Sequence, residues 1–353
     1  MKKLLIALSI ASTFSVSAYA QEADTLDELF TDGGREITVA EYPMVETARN
    51  LLIKQDEVGV NNFFHKRELS PTDKQDIVRM NRDTYYSFAT INVSEGATVT
   101  IPEVPEGKYV SIQVITEDHR IQQMEYGAGT FDLDTHTGEH VYLVVRLDST
   151  IPVNEAHAIQ DKMLIDAKSD EVFTFEGGLS QESFEAVEID LKKQMAGILK
   201  RDGAQALTGM FTSPNDDSSE SFTEEKYYVG TAIGWGGAQE VDNIYEVSGQ
   251  YPANVCHQAT FEDPKNHAFL SVTVYNQKGY MFNDVAHVNT STAEYNDDGT
   301  LTLSFGCGDD VPNNITTTEG NDTDTFTLAF RHYMPSKTVL EGFRVIPLVK
   351  PVK

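Results

Sequence analysis

The stretch RMNRDTYYSF, Arg79 to Phe88, brings an amide, a guanidinium, a carboxylate and a phenol together at Asn81, Arg82, Asp83 and Tyr86. A carboxylate between an amide and a guanidinium can take a proton or hold a ligand hydroxyl while its neighbours fix its orientation. Asp83 is therefore the candidate general base or ligand carboxylate, oriented by Asn81 and Arg82, with Tyr86 closing the site. His65, in NNFFHKREL, precedes this stretch and titrates where proton transfer near neutral pH requires, which makes it the candidate partner acid or base. The competing reading is local: Asn and Asp side chains satisfy backbone donors where a chain turns into a strand. Near the end of the chain, TFTLAFRHYMP puts Arg331 and Tyr333 on the polar face of an alternating run whose other face carries Phe326, Leu328 and Phe330. An Arg beside a Tyr there can hold a carboxylate or a sugar hydroxyl, or pair with a structural acid.

Other chemical signatures are missing. The sequence has no G-x-S-x-G elbow, no phosphate-binding G-x-x-x-x-G-K-[ST] loop and no dinucleotide G-x-G-x-x-G. HTGEH, His136 to His140, offers an i,i+4 histidine pair, but its Gly and the flanking strands point to a turn, and no H-E-x-x-H pattern supports zinc hydrolysis. The acidic NDDG and GNDTDT segments lack the calcium-loop pattern and read as turns. Neither a metal nor a cofactor is expected. GWGG, Gly234 to Gly237, reads as a packing turn rather than a phosphate cradle. Cys256 and Cys307 are expected to form a disulfide in an exported chain; two buried free thiols are the alternative, and the spacing argues against zinc.

The elements that must position these residues are mostly strands. In KYVSIQVITED, Val110, Ile112 and Val114 share one face, and in HVYLVVRLD so do Val141, Leu143, Val145 and Leu147, which predicts an antiparallel β region to about residue 175. Ahead of it, TVAEYPMVETARNLLIKQDE repeats Val45, Ala48 and Leu52 at helical spacing, with Pro43 suited to the first turn. SQESFEAVEIDLKKQMAGILKR aligns Phe184, Val187, Leu191, Met195 and Ile198 on one helical face behind a possible Ser180 N-cap. YYVGTAIGWGGAQEVDNIYE reads as a short helix, a Gly turn and a second short helix. Beyond Tyr251, three alternating runs and a hairpin signal at Gly299 argue for a sandwich or jelly roll. The expected fold is mixed α+β, mainly β, with two antiparallel sandwich or jelly-roll-like domains joined by helices. The expected boundaries are a helix-plus-β domain over 21–179, a helical connector over 180–245 and a β-sandwich over 246–353.

The first twenty residues, MKKLLIALSIASTFSVSAYA, carry Lys2 and Lys3, an apolar stretch and an A-Y-A ending, an export signal cut after Ala20. A periplasmic or secreted protein beginning at Gln21 is expected. The intact mass of protein recovered from the periplasm checks this, and a mass that retains the leader refutes it. Cleavage takes the formal charge from −28 to −30, since −28 − 2 = −30. Such an acidic chain repels phosphate backbones and anionic membranes, so nucleic acid is an unsuitable partner. No later run approaches the roughly 18 apolar residues of a membrane helix.

The ordered set NNFFHKREL, VRMNRDTYYSF, FLSVTVYNQKGYMFND, DDGTLTLSFG and FTLAFRHYMPSKTVLEG resembles a bacterial exported family of two adjoining domains of unknown function, numbered twelve fifty-four and twelve fourteen. Asn81, Asp83, Thr84, Tyr86 and Ser87 match its first motif, and Arg331, Tyr333 and Pro335 its last. The chain departs from that pattern at Asn314 and Leu270, where Trp is usual. The resemblance implies a two-domain, β-rich fold and supplies no activity. Taken together, Asn81, Arg82, Thr84, Tyr86, Arg331 and Tyr333 are the expected ligand-binding residues and Asp83 and His65 the expected catalytic ones. The expected function is binding of a small polar or saccharide-like ligand in an interdomain cleft, the alternative being a periplasmic hydrolase or lyase that uses carboxylate and His acid–base chemistry.

Overall fold

Residues 22–75, 78–213 and 222–352 are described by the computed structural model. The expected leader and its cleavage point at Gln21 lie outside them. Period-two alternation in the first β region produces β1 (Phe64–Lys66), β2 (Thr84–Asn92), β3 (Ala97–Ile101), β4 (Val110–Thr116), β5 (Glu125–Tyr126), β6 (Gly129–Leu133), β7 (His140–Asp148) and β8 (Leu164–Ala167). These strands form an antiparallel five-stranded sheet, β1-β2-β7-β4-β5, and a three-stranded sheet, β8-β3-β6.

Ala89, Ile91, Val110, Ile112, Val114, Val141, Leu143, Val145 and Leu147 fill the space between the two sheets. The other face of the larger sheet, with Ile115, Tyr142 and Val144, is covered by α1 (Tyr42–Val58), α2 (Gln181–Asp202) and α3 (Glu224–Gly234). Being covered on both sides, β4 is buried end to end, and β7 is interrupted only at Arg146.

Ser180 caps α2, its Oγ accepting the Ser183 N–H at 3.2 Å. The apolar stripes of α2 and α3 bury Phe184, Leu191, Ile198 and Val229 in one core with α1 and the larger sheet. Where a second short helix was expected after the Gly turn, the chain enters β9 (Asn243–Val247). Alternation over so few residues fits either period, and pairing with a long strand selects the extended form.

The second domain adds β10 (His257–Glu262), β11 (Leu270–Asn276), β12 (His287–Asn289), β13 (Thr300–Phe305), β14 (Asn314–Ile315), β15 (Thr325–Tyr333) and β16 (Lys350–Pro351). Its sheets, β9-β15-β11-β12 and β14-β13-β10-β16, enclose Phe261, Val272, Val274, Leu303, Phe305, Phe326, Leu328 and Phe330. Among the described residues neither sheet closes into a barrel, and the fold is mixed α+β, mainly β, as two sandwiches.

A disulfide joins Cys256 and Cys307, 51 residues apart, at the start of β10 and just beyond β13. Closing a loop of this length constrains the unfolded chain, so reduction is expected to lower stability by about 4 kcal/mol or less. Thiol labelling of unfolded, unreduced protein checks the bond, and two labelled cysteines would refute it.

Candidate functional site between the domains

Strand register decides which side chains of the first domain face the second. Across the larger sheet, Tyr86 sits beside Arg146, Arg146 beside Ser111, and Ser111 beside Tyr126. The facing sheet presents a matching polar row, with Tyr245 beside Arg331, Arg331 beside Ser271, and Ser271 beside Asn289. Alternation sends Phe326, Leu328 and Phe330 into the sandwich, so Arg331 and Tyr333 emerge on this row's face.

Asp83 crosses the boundary. Its Oδ2 accepts the Ser271 hydroxyl at 2.7 Å and the Tyr333 hydroxyl at 3.0 Å. The residue is 0% exposed, because the second domain's sheet lands directly on it; the open cleft expected at Asp83 is not there, and its bonds go to hydroxyls rather than to Arg82, Arg331 or His65. Arg331, also buried, donates to Thr273 Oγ1 at 3.0 Å, to the Tyr275 hydroxyl at 2.8 Å and to the Arg79 carbonyl at 2.9 Å. Asp83 acts on it electrostatically without forming an ion pair. Asp83 Oδ1 and His287 Nδ1 have no protein hydrogen bond. Burial lowers the pKa of His287, with Asp83 opposing.

The other expected residues divide. Asn81 makes a turn, its Oδ1 accepting the Asp83 N–H at 3.0 Å, while its Nδ2 donates to the Tyr86 hydroxyl at 3.1 Å. Arg82 donates to the Ser70 carbonyl at 2.7 Å and lies 4.0 Å from Asp284, anchoring the segment before the strand. Thr84 is buried, and its hydroxyl has no hydrogen bond. His65 pairs across from Ser87, its Nδ1 2.7 Å from that hydroxyl, displaced along β2 from Asp83. Burial pushes its pKa down to about 4, so it is neutral at ordinary pH.

At this boundary Tyr86, Arg146 and Tyr245 are each half-buried. Arg146 donates to Gln113 Oε1 at 2.6 Å, and its Cζ stands 5.6 Å from the centre of the Tyr86 ring. Tyr86, Tyr109, Tyr245 and Tyr333 all act on it electrostatically. Among the described residues no carboxylate forms an ion pair with it.

Gln113 is aimed from behind, its Nε2 donating to the Gly236 and Gly237 carbonyls at 3.0 and 3.2 Å. The GWGG turn thus sets Gln113, and Gln113 sets Arg146. Glycine is required there: Gly236 has φ +73°, and a Cβ at Gly237 would sit 2.4 Å from the Phe211 ring. His119 fixes the same turn, its Nε2 accepting the Gly236 N–H at 2.9 Å.

Burial by itself would raise the Tyr86 phenol, but Arg146, with Asn81 and Arg331, outweighs it and holds the group below the usual tyrosine value. Burial raises Tyr245, with Arg146 opposing. Behind this pair, buried Asp242 accepts the Tyr126 hydroxyl at 2.7 Å, and burial raises its pKa. An unpaired guanidinium among phenols and an amide suits an anionic group on a hydroxylated body.

Of the expected residues, then, Tyr86 lies beside Arg146 while Asn81 orients it; Asp83, Arg331 and Tyr333 form the buried contact beside them. Sequence reasoning missed Arg146, Gln113, Tyr245, Tyr126 and Asp242. The available signal was HVYLVVRLD, where Arg146 and Asp148 are charged residues on the second face of a run whose first face is wholly apolar.

Residues 60–175 match the family model described as a protein of unknown function, DUF1254. No curated protein matches the chain. Two solved structures share its fold. The VPA0106 protein from Vibrio parahaemolyticus superposes with a TM-score of 0.64 at 16% identity, covering 89% of this chain and 98% of that one. A putative uncharacterized protein from Burkholderia cenocepacia does so with a TM-score of 0.50 at 12% identity, covering 89% and 87%. Over residues 60–175, which hold Asn81, Tyr86, Gln113 and Arg146, the chain is similar to that family of unknown function.

Proposed function

We propose that the protein binds a small polar ligand carrying a carboxylate, of the sugar-acid kind, between its two domains. The observation that carries this reading is Arg146: a half-buried guanidinium, held in place by Gln113, with no ion-paired carboxylate among the described residues, Asp242 acting on it only at a distance. Leaving a charge in such a position is costly unless a counter-ion completes it, and a planar fork of donors matches a carboxylate. Tyr86 and Tyr245 offer hydroxyls and ring faces to the remainder of the ligand. The alternative that relies on Asp83 and His65 loses its support, since one is sealed and the other lies elsewhere on β2.

The same proposal places the protein outside the cytoplasm, on the strength of the leader at residues 1–20, and assigns the second domain to the family numbered twelve fourteen, on the motif ending at Pro335. Among the described residues no helix is long and apolar enough to cross a membrane.

Thermal-shift measurements on the chain from Gln21 test the binding. Glucuronate and galacturonate are expected to raise the melting temperature, and glucose, inorganic phosphate and divalent metal ions are not. Stabilisation by neutral sugars or metals alone would sink the reading.

A further inference from the structure

We propose that this site is also catalytic: Tyr86 removes the proton on the carbon next to a carboxylate held by Arg146, and the protein eliminates the oxygen substituent from the neighbouring carbon of a uronate chain. The inference rests on the carboxylate reading of the site and adds a reaction to it.

Its basis is the row on the larger sheet. Tyr86 and Arg146 are direct cross-strand neighbours, and the guanidinium lies 5.6 Å from the centre of the phenol ring. A carboxylate taking the guanidinium donors that Gln113 leaves free would sit next to Tyr86, the cross-strand neighbour of Arg146. Asn81 donates to that phenol oxygen at 3.1 Å, a bond that strengthens as negative charge develops on it. Tyr245 comes from the opposite sheet, also half-buried and within electrostatic reach of Tyr86 and Arg146. Its hydroxyl accepts a long bond from the Ala238 N–H, at 3.4 Å, and donates to no side chain or carbonyl among the described residues.

The step balances without a cofactor. The Tyr86 phenolate takes the proton from the carbon beside the carboxylate, and Arg146 stabilises the charge that spreads onto the carboxylate oxygens. That electron pair forms a carbon–carbon double bond as the next carbon's bond to oxygen breaks. The departing oxygen takes a proton from Tyr245, and transfer from Tyr86 to Tyr245 through water restores the resting state. Nothing is oxidised or reduced. The environments agree with the division of roles: Tyr86 is held below the ordinary tyrosine value, mainly by Arg146 acting against burial, whereas burial raises Tyr245. A pyranose uronate supplies the carboxylate, the adjacent carbon–hydrogen bond and the glycosidic oxygen one carbon further on, and its hydroxyls suit the surrounding phenols.

The test incubates the chain from Gln21 with polygalacturonate and with alginate in deuterated buffer. It follows the ultraviolet absorbance of unsaturated ends, and deuterium exchanged into the carbon next to the carboxylate of uncleaved substrate. Wild-type protein is expected to produce unsaturated ends, with a rate that rises with pH as Tyr86 ionises. Tyr86→Phe is expected to lower kcat by on the order of a hundredfold or more, while the melting temperature stays close to wild type and glucuronate still stabilises the protein through Arg146. Glucuronate stabilisation with neither elimination nor deuterium incorporation overturns the catalytic inference and leaves binding standing, as does an unchanged rate in Tyr86→Phe. If no sugar acid stabilises the wild-type protein, the binding reading fails and the reaction with it.

Discussion

Arg146→Gln is expected to abolish stabilisation by sugar acids, weakening binding by on the order of a hundredfold or more, with a melting temperature equal to or above that of the wild type. Removing one partner of a desolvated charge pair costs about 3 kcal/mol, which is the source of the affinity loss. The stability half of the result follows from the lack of an ion-paired carboxylate among the described residues. An unpaired, half-buried guanidinium is a desolvation burden on the free protein, and a neutral amide of similar reach removes it. Arg146→Lys keeps the charge but not the planar fork, so it should fall between the two. Isothermal titration with glucuronate, paired with thermal melts, decides the matter: unchanged affinity in Arg146→Gln would mean that the anion sits elsewhere or that there is none.

Asp83→Ala is expected to do the opposite, lowering stability by about 3–5 kcal/mol whether or not ligand is present. The carboxylate is 0% exposed and holds the Ser271 and Tyr333 hydroxyls across the domain boundary. Its loss strands those hydroxyls and removes the negative charge that balances Arg331, itself only 5% exposed. Asp83→Asn keeps an acceptor oxygen but not that charge, so a smaller loss is expected. The sequence invites the reverse expectation, that Asp83→Asn would spare the fold and silence the ligand response. Urea denaturation of both variants tests this, and a wild-type midpoint for Asp83→Ala would show that the contact does not hold the domains together.

Some of this protein was legible in its sequence because it depends on local period. Val141, Leu143, Val145 and Leu147 alternate because a strand turns its side chains over every second residue, and that alternation alone calls for a sheet with one apolar face. Phe184, Leu191 and Ile198 repeat at helical spacing, and the helix over Gln181–Asp202 follows, with Ser180 capping it. The Asn81 turn was equally visible, since an Asx side chain bonds a backbone N–H two residues on wherever it sits.

What decided the site was not local. Arg146 becomes an anion-binding candidate only because register sets it between Tyr86 and Ser111, on strands distant in sequence, and a slip of one residue would have sent it into the sandwich core. Gln113 aims it only because the turn at Gly236 and Gly237 arrives from beyond α3. Asp83 looked like an exposed base because its own neighbours are polar; its burial was settled by Ser271 and Tyr333 of the other domain. The sequence alone determined the long elements, because the backbone's own geometry sets the side-chain period, whereas the short β9 took its form from pairing. Only the tertiary structure decided which polar residues stay half-buried and which are sealed, because that depends on which surfaces meet across long stretches of chain.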